Sequence, residues 1–226
     1  MNVRQFLNKQ FFLALVVCPI LLTLILGTNF NKPKLFKPVE YQLTPQFFKF
    51  VSSGFWPAAS DLLWLQTLQM IGNANYSPET LAESLGFYRL MTSLDPDFYE
   101  GYDQGALVFS FFYDAAYPSL EILDKGIRYY ESGRAPKRFW THPYSLYLHR
   151  AYVNAFMRNN WEAAKRDYLA AGEMVNSPPY LKLMRFWLEK EGSEKRLAQN
   201  VLKLLIQNTT DKVIKLKYEE KLKVYE

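Results

Sequence analysis

The chain has 226 residues, 17% of them aromatic and 22% charged, which is enough ring and apolar surface for a sizeable core and excludes disorder as the main state. The formal charge is +5, of which Arg4 and Lys9 supply +2; the +3 left over the remainder is too weak and scattered for nucleic acid, which needs a concentrated basic stripe. The single cysteine, Cys18, excludes an intrachain disulfide and a cysteine metal site.

Phe11–Leu26 (FFLALVVCPILLTLIL) is a run of 16 residues without a charge, and Phe6 and Leu7 extend it to about a membrane thickness at ~1.5 Å per residue. A cleaved signal would want small residues before the cut, and Ile25-Leu26-Gly27 offers one only at its last position. A lipid anchor would want a small residue before the cysteine, where Val17 stands. Residues 1–27 are therefore expected to form a short tail and an uncleaved transmembrane anchor. Lys32, Lys34 and Lys37 nearly balance Arg4, Lys9 and the terminal amine, so the positive-inside rule comes close to a tie. A ten-residue tail before a short anchor matches a signal-anchor, with the N-terminus inside. The body would then lie outside the cytoplasm, on the periplasmic side of a bacterial inner (cytoplasmic) membrane.

Residues 28–55 carry Pro33, Pro38 and Pro45 among lysines and aromatics and read as a semi-rigid linker. Their rings are expected to pack on the first hairpin or to sit at the membrane interface.

Beyond the linker the pattern is helical, with only 10 glycines and with many of the 12 prolines at the ends of periodic runs. The first helix spans residues 57–71, with Trp64, Thr67, Leu68 and Ile71 as its buried face. Ser77-Pro78-Glu79 starts a second, whose face is Leu81, Ser84, Tyr88 and Met91 and which must stop before Pro96. A second hairpin joins residues 98–112 to 118–131, a third joins 143–156 to 161–175 across Asn159-Asn160, and a fourth joins 179–189 to 194–207. The 3-4-3 face recurs as Leu120/Leu123/Ile127/Tyr130 and as Trp161/Ala164/Tyr168/Ala171, with starts 39 and 41 residues apart. Residues 211–225 close the chain as a cap, with Ile214, Tyr218, Leu222 and Tyr225 on one side and lysines on the others. The expected architecture is all-α: an anchor helix, a four-hairpin array over residues 56–208, and a capping helix over 209–226.

These hairpins resemble the tetratricopeptide-repeat (TPR) family. The likeness rests on Trp161, Ala164, Tyr168 and Ala171, and on the passage Tyr88, Met91, Leu94-Asp95-Pro96, Tyr102, Gly105-Ala106 and Phe109, which looks like one repeat ending and the next beginning. Steps of 39 and 41 depart from the family's usual ~34, and Ser84 and Met91 stand where small alanines are typical. The resemblance implies an α-hairpin solenoid used for protein–protein scaffolding, with a groove for peptides or helices.

No catalytic constellation stands out. His142 and His149 are seven residues apart, about 10 Å along a helix, too far to chelate one ion alone. No serine sits in a nucleophile elbow and no glycine-rich phosphate loop occurs. The pairs Glu100/Asp103 and Glu219/Glu220 read as solvated helix faces. Nine of the 16 tyrosines fall between Tyr99 and Tyr152, next to a basic loop. Aromatic anchors rimmed by arginine are typical of interfaces. The expected partner surface is Tyr99, Tyr102, Arg128, Tyr129, Arg134, Lys137, Arg138 and Tyr147, taking an acidic or aromatic segment of a protein. The reading is a membrane-anchored scaffold or adaptor, a subunit or assembly factor of a cell-envelope complex, with no cofactor and no enzymatic activity. The alternatives are the same scaffold facing the cytoplasm, an all-helical enzyme without a recognisable motif, and a purely architectural part of a larger assembly.

Overall fold

The structure, a computed structural model, describes residues 54–72, 76–135, 141–189 and 194–226. Every regular element among them is helical. Phe11–Leu26 and nearly all of the linker lie outside the described residues, within which no helix is long and apolar enough to cross a membrane. The chain divides into two compact units, one ending at Gly101 and the other beginning at Tyr102.

In the first unit α1 (Trp56–Gly72) packs on α2 (Pro78–Leu94). Pro57 occupies the first turn of α1, where its missing N–H costs nothing. The buried row of α1 is Ser60, Leu63, Thr67 and Ile71, so Thr67 and Ile71 face inward as expected whereas Leu68 is left exposed. Ser60 enters the row because its hydroxyl finds a partner across the helix pair, donating to the Met91 carbonyl at 3.2 Å. Trp64 packs edge-on against Phe98 with ring centroids 5.9 Å apart. A reciprocal cap starts α2: Thr80 N–H donates to Ser77 Oγ at 3.3 Å and Ser77 N–H to Thr80 Oγ1 at 3.0 Å. It stops at Leu94, before Pro96, and Asp95 Oδ1 accepts the Asp97 N–H at 3.0 Å.

The helix α3 (Tyr99–Leu107) begins in the first unit and continues into the second, ending in a wide π turn, π1 (Val108–Phe112). The second unit goes on through α4 (Ala116–Glu131), α5 (Pro143–Tyr152) with its own π turn, π2 (Val153–Met157), and α6 (Trp161–Glu173). It closes with α7 (Pro179–Glu189), α8 (Glu194–Asn208) and α9 (Lys212–Tyr225). In this unit neighbours in sequence pack on each other: α4 with α5, α5 with α6, α6 with α7, and α8 with α9.

One register runs through the second helices of all four hairpins. Small side chains at Ser84, Ser119, Ala164 and Ala198 are fully buried, and the steps between them are 35, 45 and 34 residues. Tyr88, Leu123, Tyr168 and Leu202 follow at the same steps, all buried. The first helices repeat them too, in Thr67, Tyr102, Tyr147 and Leu181. The expected row of α6 is found whole: Trp161, Ala164, Tyr168 and Ala171 are all buried. The row of α4 is the expected one only in part: Leu123 and Ile127 are inside as expected, joined by Ser119, Ile122 and Gly126, whereas Leu120 and Tyr130 are half-exposed. Steps of 39 and 41 are thereby replaced by 35 and 45. The cause is steric. Ser119 reaches the Ala106 carbonyl at 3.0 Å, and the ring of Tyr102 lies so close to Gly126 that a Cβ there would come 2.7 Å from its Cγ. The longer middle step is taken up between Glu131 and Pro143.

The two π turns are copies of each other at that same step. Tyr113 N–H donates to Val108 O at 3.3 Å and Arg158 N–H to Val153 O at 3.1 Å, the i to i+5 bonds of a π turn. Asp114 (φ 49°) and Asn159 (φ 52°) then take the left-handed conformation that their short polar side chains tolerate. Asn160 caps the helix that follows, its Oδ1 accepting the Ala163 N–H at 3.1 Å.

Candidate interaction groove

The tyrosine-rich surface expected from composition divides into an inside and an outside. Tyr99, Tyr102 and Tyr147 are only 7%, 1% and 6% exposed, so they are core residues and offer no face to a partner here. Tyr102 is spent on Gly126. Tyr147 keeps its ring inside because its hydroxyl donates to Glu131 Oε1 at 2.5 Å and Arg150 Cζ sits 5.3 Å from the ring centroid. Burial, and then the Glu131 bond, pushes its ionisation well above the usual tyrosine range.

On the outside, Arg128 is exposed at the end of α4, Tyr129 is half-buried, and Arg134 Cζ lies 5.8 Å over the Tyr129 ring. Arg134 Nε donates to Ser132 Oγ at 3.0 Å, so this corner is held by local bonds. Lys137 and Arg138 lie outside the described residues.

A polar cluster ties α4, α5 and α6 together. Arg150 donates from Nη1 to Asp124 Oδ1 at 2.7 Å, from Nη2 to Asp167 Oδ1 at 2.6 Å and from Nε to Asp167 Oδ2 at 3.1 Å. Asn154 Nδ2 adds a bond to Asp167 Oδ2 at 3.2 Å. The fork on Asp167 is the two-pronged geometry only arginine provides. Desolvation works against the Arg150 charge, yet the bonds to the two carboxylates outweigh it, and the guanidinium holds its proton more firmly than usual. One guanidinium is shared by two carboxylates, so each charge has an opposite partner, which makes the cluster a structural tie.

Asp103, Ser145 and His149 also meet, but in an order that does not activate the serine. Ser145 Oγ donates to Asp103 Oδ1 at 2.8 Å, while His149 Nδ1 lies 3.3 Å from that same oxygen without a hydrogen-bond geometry. In a nucleophilic relay the hydroxyl is held by the imidazole; here both turn to one carboxylate oxygen. Among the described residues no three His, Cys, Asp or Glu side chains gather as a metal site would require.

The most developed aromatic feature is a row of rings buried under the last helix, and composition alone did not locate it. Phe111 of π1 stacks on Tyr152 of α5 (4.9 Å, 24° between planes), and Tyr152 leads to Phe156 (5.2 Å) and on to Trp161 (5.4 Å). Into this row α9 lays two rings. Tyr218 meets Phe111 at 5.7 Å and Tyr152 at 5.4 Å edge-on, and Tyr225 meets Phe156 at 5.9 Å. The end of α9 is tied to α8 by Gln199 Nε2 donating to Tyr225 O at 2.7 Å. Next to Tyr218 the Tyr168 side chain is fully buried and its hydroxyl has no hydrogen-bond partner. Burial raises the ionisation of Tyr152, Tyr168 and Tyr218 well above the ordinary range. Tyr180, less enclosed, is pushed up to about 12 by burial and then by Tyr144. The one sequence signal for this groove was the stripe Tyr218 and Tyr225, two turns apart on the last helix.

No family model matches the chain, and no curated protein and no solved structure matches it.

Proposed function

We propose that this chain is a divergent TPR-like scaffold that docks partner proteins, held at a membrane by Phe11–Leu26 with its body outside the cytoplasm, as a subunit or assembly factor of a cell-envelope complex. The observation that carries the reading is the shared register. Two of its three steps, 35 and 34 residues, fall at the ~34 of tetratricopeptide repeats, and the third departs only by a longer connection between α4 and α5. Such repeats leave one face of their first helices free to receive a helix or peptide. The row Phe111, Tyr152 and Phe156 supports that use, since it already receives α9.

The test is affinity purification of the full chain from membranes in mild detergent through an N-terminal tag. A scaffold brings down a stoichiometric partner that survives washing; a chain that elutes alone as a monomer overturns the reading. The anchor is checked separately. The full chain should stay with membranes through alkaline washing, and a chain shortened to begin at Tyr41 should be soluble. A reporter active only outside the cytoplasm, fused after Glu226, should work; if only a cytoplasmic reporter works, the body faces the other way.

A further inference from the structure

The geometry points to α9 as a displaceable occupant of the aromatic groove, standing in for a basic amphipathic helix of a partner protein with two aromatic side chains two turns apart. This rests on the scaffold reading above and names what that scaffold receives.

Three observations carry it. The first is reach. In a helical-repeat protein each hairpin contacts only its neighbours. Tyr218 breaks that rule: it touches Phe111, in the π turn between α3 and α4, although the α5–α6 and α7–α8 hairpins intervene in sequence. The helix therefore lies back along rings that earlier hairpins supply and does not simply extend the stack. The second is how little holds it. Of the 14 residues in α9 only Tyr218 is buried, while Val213, Leu216 and Val224 are 49%, 58% and 77% exposed. Elements with so few buried apolar contacts open locally at low cost. The third is an imperfect fit. The Tyr168 hydroxyl, beside Tyr218, is buried without a partner, which leaves the closed arrangement with an unmet polar group. A partner helix bearing an acceptor at that point would meet it.

Charge sets the sign of the partner. The seated helix carries Lys212, Lys215, Lys217, Lys221 and Lys223 against Glu219 and Glu220, so a helix that takes its place has the same basic back.

The probe is a fluorescein-labelled synthetic peptide of residues 209–226, titrated into the full chain in detergent and into its Tyr218→Ala/Tyr225→Ala variant. If α9 is seated more than nine-tenths of the time, freeing the groove should tighten peptide binding by about tenfold or more. A peptide with both tyrosines changed to alanine should bind neither protein. Hydrogen exchange on the unmodified full chain should show the amides of α9 opening well before those of α6. Equal peptide affinity for the two proteins overturns the inference, as does protection of α9 equal to that of α6. A double variant that fails to fold also overturns it, because a displaceable helix is not needed by the rest. The partner-recovery experiment is independent of all three: a recovered partner with a failed peptide titration leaves the scaffold standing and removes only the role given to α9.

Discussion

Two helices of nearly equal length belong to the second unit and do opposite work. α6 has 13 residues and buries Trp161, Ala164, Asp167, Tyr168 and Ala171; α9 has 14 and buries Tyr218 alone. Both carry aromatic side chains on an inner face, but α9 holds five lysines where α6 holds one. The difference is neighbours on both sides. α6 is clasped between α5 and α7, so a five-residue stripe finds something to pack on, whereas α9 packs chiefly on α8. Helical pattern tells that a helix forms; the number of neighbours decides whether the fold depends on it.

The sharpest way to break that comparison is to truncate the central ring of each helix. Tyr168→Ala removes a fully buried side chain and should cost roughly 3–5 kcal/mol, read as a large drop in melting temperature. Tyr218→Ala should leave the main transition nearly in place and appear instead as faster amide exchange confined to α9. A common large drop in both would mean that α9 belongs to the cooperative core. Tyr168→Phe separates ring from hydroxyl: it removes an unpartnered group and should be neutral or stabilising in thermal melts.

Of similar size is Arg150→Ala. Asp167, which is 6% exposed, would be left as an uncompensated buried charge on α6, at about 3–5 kcal/mol in denaturant unfolding. Arg150→Lys should recover little of that, because one ammonium cannot fork across Asp167 while holding Asp124. No equivalent charge on α9 should show such a cost.

Gly126→Ala comes next. In an open helix this change gains up to about 1 kcal/mol of helix propensity. Here the new Cβ would meet the Tyr102 ring at 2.7 Å, and the overpacking should win, with a net loss of about 1–3 kcal/mol by chemical denaturation. Gly72→Ala, with nothing within 4 Å, is the control and should be neutral or slightly stabilising.

The smallest effect is alkaline. Tyr180 ionises at about 12 in the fold against about 10 in an unfolded chain. The folded chain therefore holds more protons than the unfolded one between those values, so stability is intact below pH 10 and falls as the pH rises towards 12. Tyrosinate absorbance should sharpen the comparison. Tyr225 and Tyr218 should ionise as α9 opens, and Tyr168 only with global unfolding.

How much of this could be read from residues alone follows the same division. The row Trp161/Ala164/Tyr168/Ala171 is legible because large and small side chains alternate at helical spacing, leaving one possible inner face. The α4 row is not, because its inner face holds Ser119 and Gly126, which carry no apolar signal, while Leu120 and Tyr130 beside them do. What makes a serine and a glycine inward there is the Tyr102 ring, a distant residue in sequence. The same blind spot explains why three tyrosines of the expected surface are buried. A tyrosine beside arginines looks like an anchor, yet Tyr147 is buried because Glu131 satisfies its hydroxyl, a contact that composition does not contain. Of the expected patch, only Arg128, Tyr129 and Arg134 are left with access to solvent among the described residues. The groove was hidden for a like reason: Phe111 and Tyr218 are neighbours only after several hairpins have been stacked.

The paired π turns bear on this in terms of phase. One extra residue in a helix advances everything beyond it by about 100° around the axis. π1 and π2 insert that advance at matching points, and Phe111 and Phe156 lie within them. A straight α-helix carrying the same letters would aim those two rings differently, and both by the same amount, because each is the fourth residue of its π turn. The groove thus depends on two matching local changes of pitch as well as on which aromatic residues the chain contains.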